Sequence, residues 1–220
     1  REKKANGTLP ANGALVETIV TTDMAKAIAK AYGVKLIEVL TGFKYIGEQI
    51  KFFEQQNSYE YVFGLEESYG CLAGTYARDK DACVAVMMLC EVAAWCKSNG
   101  ITLWDAMVSL YETYGYYKEG LETMTLKGMD GAEKIQSMMN EMRNNPPKKI
   151  GAWDVLALRD YKKDTRTDMT SGEVTPTGLP ESNVLYYELS NNAWCCVRPS
   201  GTEPKIKFYF GVNENSLKNA

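Results

Sequence analysis

ALVETIVTTDMAKAIAKAYGVKLIEVLTGF, residues 14–43, carries the alternation that decides the fold. Ala14 to Val20 is rich in β-branched side chains and reads as a strand. Thr21, Thr22 and Asp23 then supply capping groups for a helix through about Tyr32, which Gly33 stops. Lys35 to Leu40 is a second strand, Phe43 to about Glu54 a second helix, and Tyr61 to Leu65 a third strand. Strand, helix, strand, helix, strand implies an α/β layer. Beyond it, Asp79 or Asp81 can cap a long helix from Ala82 to Lys97. That helix is apolar almost all round, so it is expected to be deeply packed. A helix from about Leu103 to Tyr114 closes this first domain.

From Tyr116 the character changes. Lys118 to Leu126 alternates as a strand, Gly131 to Arg143 has helical spacing, and Asn144-Asn-Pro-Pro147 breaks it. Trp153 to Arg159 and Val184 to Leu189 read as strands, with a long polar surface loop from Tyr161 to Asn183 between them. Ala193 to Val197 is a short strand leading into a turn, and Ile206 to Val212 alternates leading out of it. Asn213 to Ser216 reads as the start of a helix. The expected architecture is an α/β domain with a mixed sheet and helices over residues 1–115. An α+β domain with a largely antiparallel sheet follows over 116–220.

The turn between the last two strands, Arg198-Pro-Ser-Gly-Thr-Glu-Pro-Lys-Ile-Lys207, gathers the groups of a phosphate pocket. Arg198 can meet a phosphate with a two-pronged charge-assisted pair. Ser200 and Thr202 can donate hydroxyl hydrogen bonds, Gly201 lets backbone N–H groups approach the oxygens, and Lys205 adds charge. The same residues also read as an ordinary turn. In the first domain, Glu66 and Ser68 stand two positions apart at the end of a strand. This places their side chains on one side, where a carboxylate and a hydroxyl can grip neighbouring sugar hydroxyls. Two solvated acids before a turn is the plainer alternative. Thr41, Gly42 and Lys44 follow a strand and open a helix, a place that favours anions. Arg78 and Lys80 sit ahead of the long helix and either add charge to a site or merely form a solvated cap.

Composition narrows the chemistry. The 220 residues carry a formal net charge of -3 and a pI near 5.3, which gives no general attraction to nucleic acid or to an anionic membrane. No apolar run reaches the ~18 residues a spanning helix needs, so a soluble, cytoplasmic protein is expected. Six cysteines form no Cys-x-x-Cys pair and read as reduced, buried thiols, which disfavours zinc. Histidine is absent, so no Ser-His-Asp or Cys-His catalysis can arise within the chain.

Three segments taken together resemble the α-D-phosphohexomutases, the family of phosphoglucomutase and phosphomannomutase. They are Thr41-Gly-Phe-Lys-Tyr-Ile-Gly47, Phe63-Gly-Leu-Glu-Glu-Ser-Tyr-Gly70 with Arg78-Asp-Lys-Asp81, and the Arg198 turn. The resemblance covers nearly the whole chain. It implies the third domain, its first helix apparently missing, and a fourth domain truncated at its end, closest to the phosphoglucomutase/phosphopentomutase branch. It also implies an intramolecular phosphotransferase that interconverts sugar 1-phosphate and 6-phosphate through a bisphosphate. Glu66 and Ser68 would read the sugar with Thr41, Gly42 and Lys44, and Arg198, Ser200, Gly201, Thr202 and Lys205 would hold the non-reacting phosphate. Lys80 would have a supporting role near the active site. Gly70 stands where other branches carry a histidine.

The phosphoserine loop and the Asp-rich Mg²⁺ loop of the family do not occur in this sequence. Mg²⁺ and a sugar 1,6-bisphosphate therefore belong to the parent enzyme and to the missing amino-terminal domains, with hexose or pentose phosphate as the ligand. Catalytic and metal-ligating residues are expected in neither domain here, and the chain alone is expected to be inactive. A phosphopentomutase parent, a non-catalytic sugar-phosphate-binding module and an interaction domain with a fortuitous anion turn remain open alternatives.

Overall fold

The computed structural model describes residues 1–126, 128, 130–201, 203–214 and 216. They form two compact units, Arg1–Tyr117 and Lys118–Glu214. In the first unit a short helix, α1 (Glu2–Ala5), precedes β1 (Gly13–Thr18), α2 (Asp23–Tyr32), β2 (Lys35–Val39), α3 (Phe43–Gln56) and β3 (Glu60–Leu65). Thr22 caps α2 by accepting the Met24 N–H, and Gly33, at φ 70°, ends it in the left-handed conformation that glycine adopts without strain. The sheet order is β2-β1-β3-β4, with β1 parallel to both neighbours and β4 (Cys71–Ala73) antiparallel on the edge. This is the mixed sheet with helices that the alternation implied. β4 escaped the sequence reading because three residues are too few to show a period.

One face of this sheet is a dry core. Ala14 and Val16 of β1 meet Phe43, Ile46, Ile50 and Phe53 of α3, with Leu72 of β4 beneath. Ile46 and Ile50 are fully buried, each contributing about 1.5–3 kcal/mol relative to exposure. The long apolar helix α4 (Ala82–Ser98) departs from expectation. Only Cys96 on it is buried, while Val86, Met87, Leu89 and Val92 are about half exposed or more. Its main neighbours are β4 and α5 (Leu103–Tyr114), and a helix apolar all round needs partners on every side to be buried. Its inner residues Met88, Val92 and Trp95 face an open apolar groove of about 630 Å³, opposite Ile28 and Tyr32 of α2. For the same reason Cys83 and Cys90 are exposed rather than buried, whereas Cys96, Cys195 and Cys196 are buried; all six cysteines are free thiols. No single described helix is long and apolar enough to cross a membrane, and α4 with α5 passes that test only as a pair bent by 92°.

The second unit has a sheet in the order β5-β12-β11-β10-β7-β8-β9, built from β5 (Tyr116–Thr125), β7 (Trp153–Asp160), β8 (Thr165–Asp168), β9 (Val174–Thr175), β10 (Leu185–Leu189), β11 (Trp194–Pro199) and β12 (Lys205–Glu214). A two-residue β6 (Lys149–Ile150) pairs with β7. Helix α6 (Asp130–Asn144) lays Ile135 and Met139 on Leu158, Leu185, Tyr187, Cys195, Val197 and Ile206. Two expectations fail here. The segment from 161 to 183 is not a plain loop but carries β8 and β9, whose mostly polar side chains hide the strand alternation. Residues 213 and 214 continue β12 instead of opening a helix, and residue 215 of that expectation lies outside the described residues.

Glu17, next to the end of β1, is 1% exposed and lies opposite Glu38 in the parallel register. Its Oε2 has no hydrogen-bond partner among the described residues. Burial and then the Glu38 charge push its pKa to about 9; Lys26 and the Thr22 N–H pull the other way, and Asp23 adds to the rise. Lys26 is itself committed, at 2.8 Å from Asp23 and 3.0 Å from Glu38. A carboxyl whose folded pKa lies above its unfolded value of 4.5 contributes stability that is complete below that value and declines as pH rises towards 9. Glu17→Gln is therefore expected to be more stable than the parent by a margin that grows from pH 5 to pH 9. Urea unfolding across that range checks it, and an unchanged margin would refute the assignment.

Candidate functional site

The parallel strands β1, β2 and β3 end at Thr18, Val39 and Leu65, so three loops leave the same edge of the sheet, where ligands bind in open α/β folds. Thr41 and Gly42 make the second loop. Gly42 caps α3 with φ 119° and no side-chain hydrogen bond, so the helix start carries no side-chain cap. Lys44 is exposed, its Nζ 4.6 Å from the centre of the Tyr45 ring.

The third loop is closed by the Glu66 N–H donating to the Gly70 carbonyl at 2.9 Å. Glu66 and Ser68 do not stand in one extended strand, since β3 stops at Leu65 and residues 67–68 form a turn. Glu66 is buried at 8% exposure, and Ser68 is exposed. Alternation along a strand is thus not what relates them; the turn between them is set by its hydrogen bonds. Glu67 anchors that turn, its Oε2 accepting from Thr18 Oγ1 at 2.8 Å, while Thr18 and Thr21 share a hydroxyl contact of 3.0 Å. At the tip, Tyr69 has φ 66° and is almost wholly exposed.

Lys80 Nζ lies 3.3 Å from Glu66 Oε1 and 3.6 Å from Asp79. Desolvation disfavours its charge, but attraction and hydrogen bonding from Glu66, then Asp79, outweigh this and hold its pKa above the usual lysine value. Gly70 is required by this pair: an added Cβ would come within 2.6 Å of Glu66 Oε1 and 2.7 Å of Lys80 Cδ. Arg78 is held elsewhere, paired with Glu54 at 2.8 Å and donating to the carbonyls of Thr75 and Ala77. Asp81 caps α4 by accepting from the Cys83 and Val84 N–H groups. The Tyr76 hydroxyl bonded to it, followed by those backbone bonds, holds its carboxyl below the usual range.

In the second unit, β11 runs through Arg198 to Pro199 and its partner β12 begins at Lys205. The connecting turn is pinned by the Ser200 N–H donating to the Lys205 carbonyl at 2.8 Å and the Glu203 N–H donating to Ser200 Oγ at 3.3 Å. It borders a cleft of about 710 Å³ lined by Arg198, Ser200, Gly201 and Glu203, by Ala132 and Gln136 near the start of α6, and by Ser182 and Asn183. A Cβ on Gly201 would meet none of the described residues within 4 Å, so the glycine leaves bare backbone on that side. Thr202 lies outside the described residues. Lys205 is committed, its Nζ 3.0 Å from both Glu203 carboxylate oxygens. Ser182 and Asn183 had no signal in the sequence, being the end of a polar stretch that only the fold returns to the cleft.

Over both units the chain is similar in fold to the solved structure of pp63/parafusin, an exocytosis-sensitive phosphoprotein and phosphoglucomutase from Paramecium, in its open form. The TM-score is 0.64 at 17% identity, covering 94% of this chain and 34% of that one. A putative phosphomannomutase from Thermus thermophilus superposes with a TM-score of 0.57 at 14% identity, covering 99% of this chain and 36% of that one. In sequence, residues 1–114 match the family model for the phosphoglucomutase/phosphomannomutase alpha/beta/alpha domain III. Phosphoglucomutases of Staphylococcus saprophyticus and Staphylococcus epidermidis are 34% and 36% identical over 203 and 213 residues, 92% and 97% of this chain. The chain belongs to the phosphoglucomutase/phosphomannomutase family. It spans 37% and 38% of the length of those two relatives.

The packing around Gly70 makes a direct prediction. Gly70→Ala is expected to lower stability by about 1–3 kcal/mol, the range for overfilling a packed site, and to displace Lys80 from Glu66. Denaturant unfolding of the variant measures the first effect, and loss of the Lys80 ammonium contact in its crystal structure the second.

Proposed function

We propose that this chain is the sugar- and phosphate-holding part of a cytoplasmic phosphoglucomutase-like enzyme that interconverts hexose 1-phosphate and 6-phosphate. The observation that carries the proposal is Arg198 at the cleft of the second unit, where no carboxylate pairs with it among the described residues. An uncommitted guanidinium beside a hydroxyl and bare backbone suits a phosphate dianion. In this reading Arg198, Ser200, Gly201 and Thr202 hold the phosphate that does not react. Glu66 and Ser68, with Thr41, Gly42 and Lys44 along the same sheet edge, read the sugar hydroxyls. Lys80 supports them by holding the Glu66 carboxyl in place at 3.3 Å. Lys205 contributes less than its charge suggests, because Glu203 neutralises it. Six free thiols support a reducing compartment.

In this reading a phosphoserine of the longer enzyme gives its phosphoryl group to one sugar oxygen, forming a bisphosphate, and the freed serine hydroxyl then takes back the phosphoryl group from the other sugar oxygen. Between these steps the intermediate must present its opposite end, so the phosphate pocket and the sugar grip must accept either orientation. Donors fixed by backbone, such as those at Gly201, suit this because they address any phosphate alike. No three metal-ligating side chains converge among the described residues.

Two outcomes test the reading. Inorganic phosphate is expected to bind the parent chain, and Arg198→Ala to weaken it by about 1.5–3 kcal/mol, as for a hydrogen bond to a charged group; calorimetric titration that finds both proteins equal would overturn the pocket. The chain by itself, supplied with glucose 1-phosphate, glucose 1,6-bisphosphate and Mg²⁺, is expected to show no turnover, since its 220 residues hold neither a phosphoserine loop nor an acidic metal loop of the family type. Turnover in a preparation free of any longer enzyme would sink that part.

A further inference from the structure

Arg143, near the end of α6, is buried, and its Nε donates to Asp160 at 2.9 Å, both side chains being 5% exposed. The guanidinium is thereby fixed in place, and it spends a second arm on Asn183: Nη2 donates to Oδ1 at 2.7 Å. A guanidinium has donors only, so the carboxamide must turn its oxygen to Arg143 and its NH₂ away. Among the described residues no acceptor meets that NH₂. Asn183 lines the same cleft as Arg198 and Ser200. Strand register explains why: Leu185 of β10 lies opposite Val197 of β11, so the residues just before Leu185 run beside those just after Val197.

From this geometry we infer that Asn183 is a further phosphate-binding residue of the cleft, its NH₂ donating to the anion, and that Arg143 is a positioning residue that fixes which end of the amide faces the ligand. The inference rests on the phosphate reading of the Arg198 turn. It adds a neutral donor from just ahead of the neighbouring strand β10, and the chemistry wanted is a phosphate ester that takes bonds from the ends of both strands. Glu203 is the opposing charge in the cleft, and its pairing with Lys205 limits the repulsion.

Asn183→Asp separates this role from a structural one. An aspartate still offers Arg143 an oxygen, now charged, so the fold is kept. The cleft, however, then faces a carboxylate oxygen where a donor stood. In titrations of the full chain with inorganic phosphate, Asn183→Asp is expected to lose about tenfold or more in affinity, while its thermal midpoint stays at or above the parent's. If it binds phosphate like the parent while Arg198→Ala does not, Asn183 has no part in binding and the inference falls alone. If the parent shows no phosphate binding, the inference and the pocket fall together. Should Asn183→Asp prove less stable, NMR of the parent decides: the Asn183 side-chain NH₂ signals shift on phosphate addition if the donor is used, and their constancy overturns the inference.

Discussion

A charge taken out of water must be met by an opposite charge or be given up, and both candidate sites are built on that constraint. In the first unit Glu66, nearly buried at the end of β3, is met by Lys80, which reaches it from the loop ahead of α4. In the second unit Arg143 and Asp160 are buried together, and another arm of the guanidinium orders Asn183 at the cleft wall. Glu17 shows the other solution. The nearby Lys26 is shared between Asp23 and Glu38, so the Glu17 carboxyl gives up its charge and keeps its proton up to about pH 9. Where a cation arrives, as at Glu66, it pairs with the carboxyl; where none does, as at Glu17, the same residue type becomes a neutral core group with an oxygen that has no partner among the described residues.

Glycines complete this logic in two opposite ways. Gly47 sits in α3 directly beneath the loop that carries Arg78; a Cβ there would fall 2.1 Å from the Arg78 carbonyl oxygen. The loop that holds Arg78 to Glu54, Thr75 and Ala77 can therefore close down on the helix. Gly70 likewise gives its space to Glu66 and Lys80. Gly201 gives its space to none of the described residues. The first two are explained by packing alone, whereas the third has no packing reason to be glycine, which fits a backbone kept clear for a ligand.

The elements of the first unit were legible because their boundaries are chemical: Thr22 caps α2, Gly33 ends it, and Asp81 caps α4. Such signals are local, and a sequence states them directly. What was not legible depended on what lies opposite. The apolar surface of α4 specified burial without specifying a partner, and the helix keeps much of that surface exposed. β8 hid in a polar stretch because Arg166 is held there by Glu188 of β10, which also takes Arg159 of β7, so ion pairs replace the apolar alternation. At the site, the spacing of Glu66 and Ser68 suggested a strand-like pair, but the Glu66–Gly70 hydrogen bond and the Thr18–Glu67 contact impose a turn. Glu67 thus anchors the loop from the position between them.

The charge balance around the Arg198 turn bears on what kind of pocket it makes. The stretch from Arg198 to Lys207 carries three cations, but Lys205 is tied to Glu203 at 3.0 Å and Lys207 does not line the cleft, so among the described lining residues the guanidinium is the free charge. The remaining groups are a hydroxyl, backbone amides and, in our proposal, one carboxamide. Neutral donors of this kind confer geometry more than attraction, since each contributes roughly half of what a charged one does. A pocket with several uncommitted cations would hold a bisphosphate more strongly as its charge rose and would slow its release. A pocket with one cation and several directional donors discriminates by shape, and its grip changes little with the charge carried at the ligand's far end. That behaviour is what an intermediate that must leave and return the other way round would need.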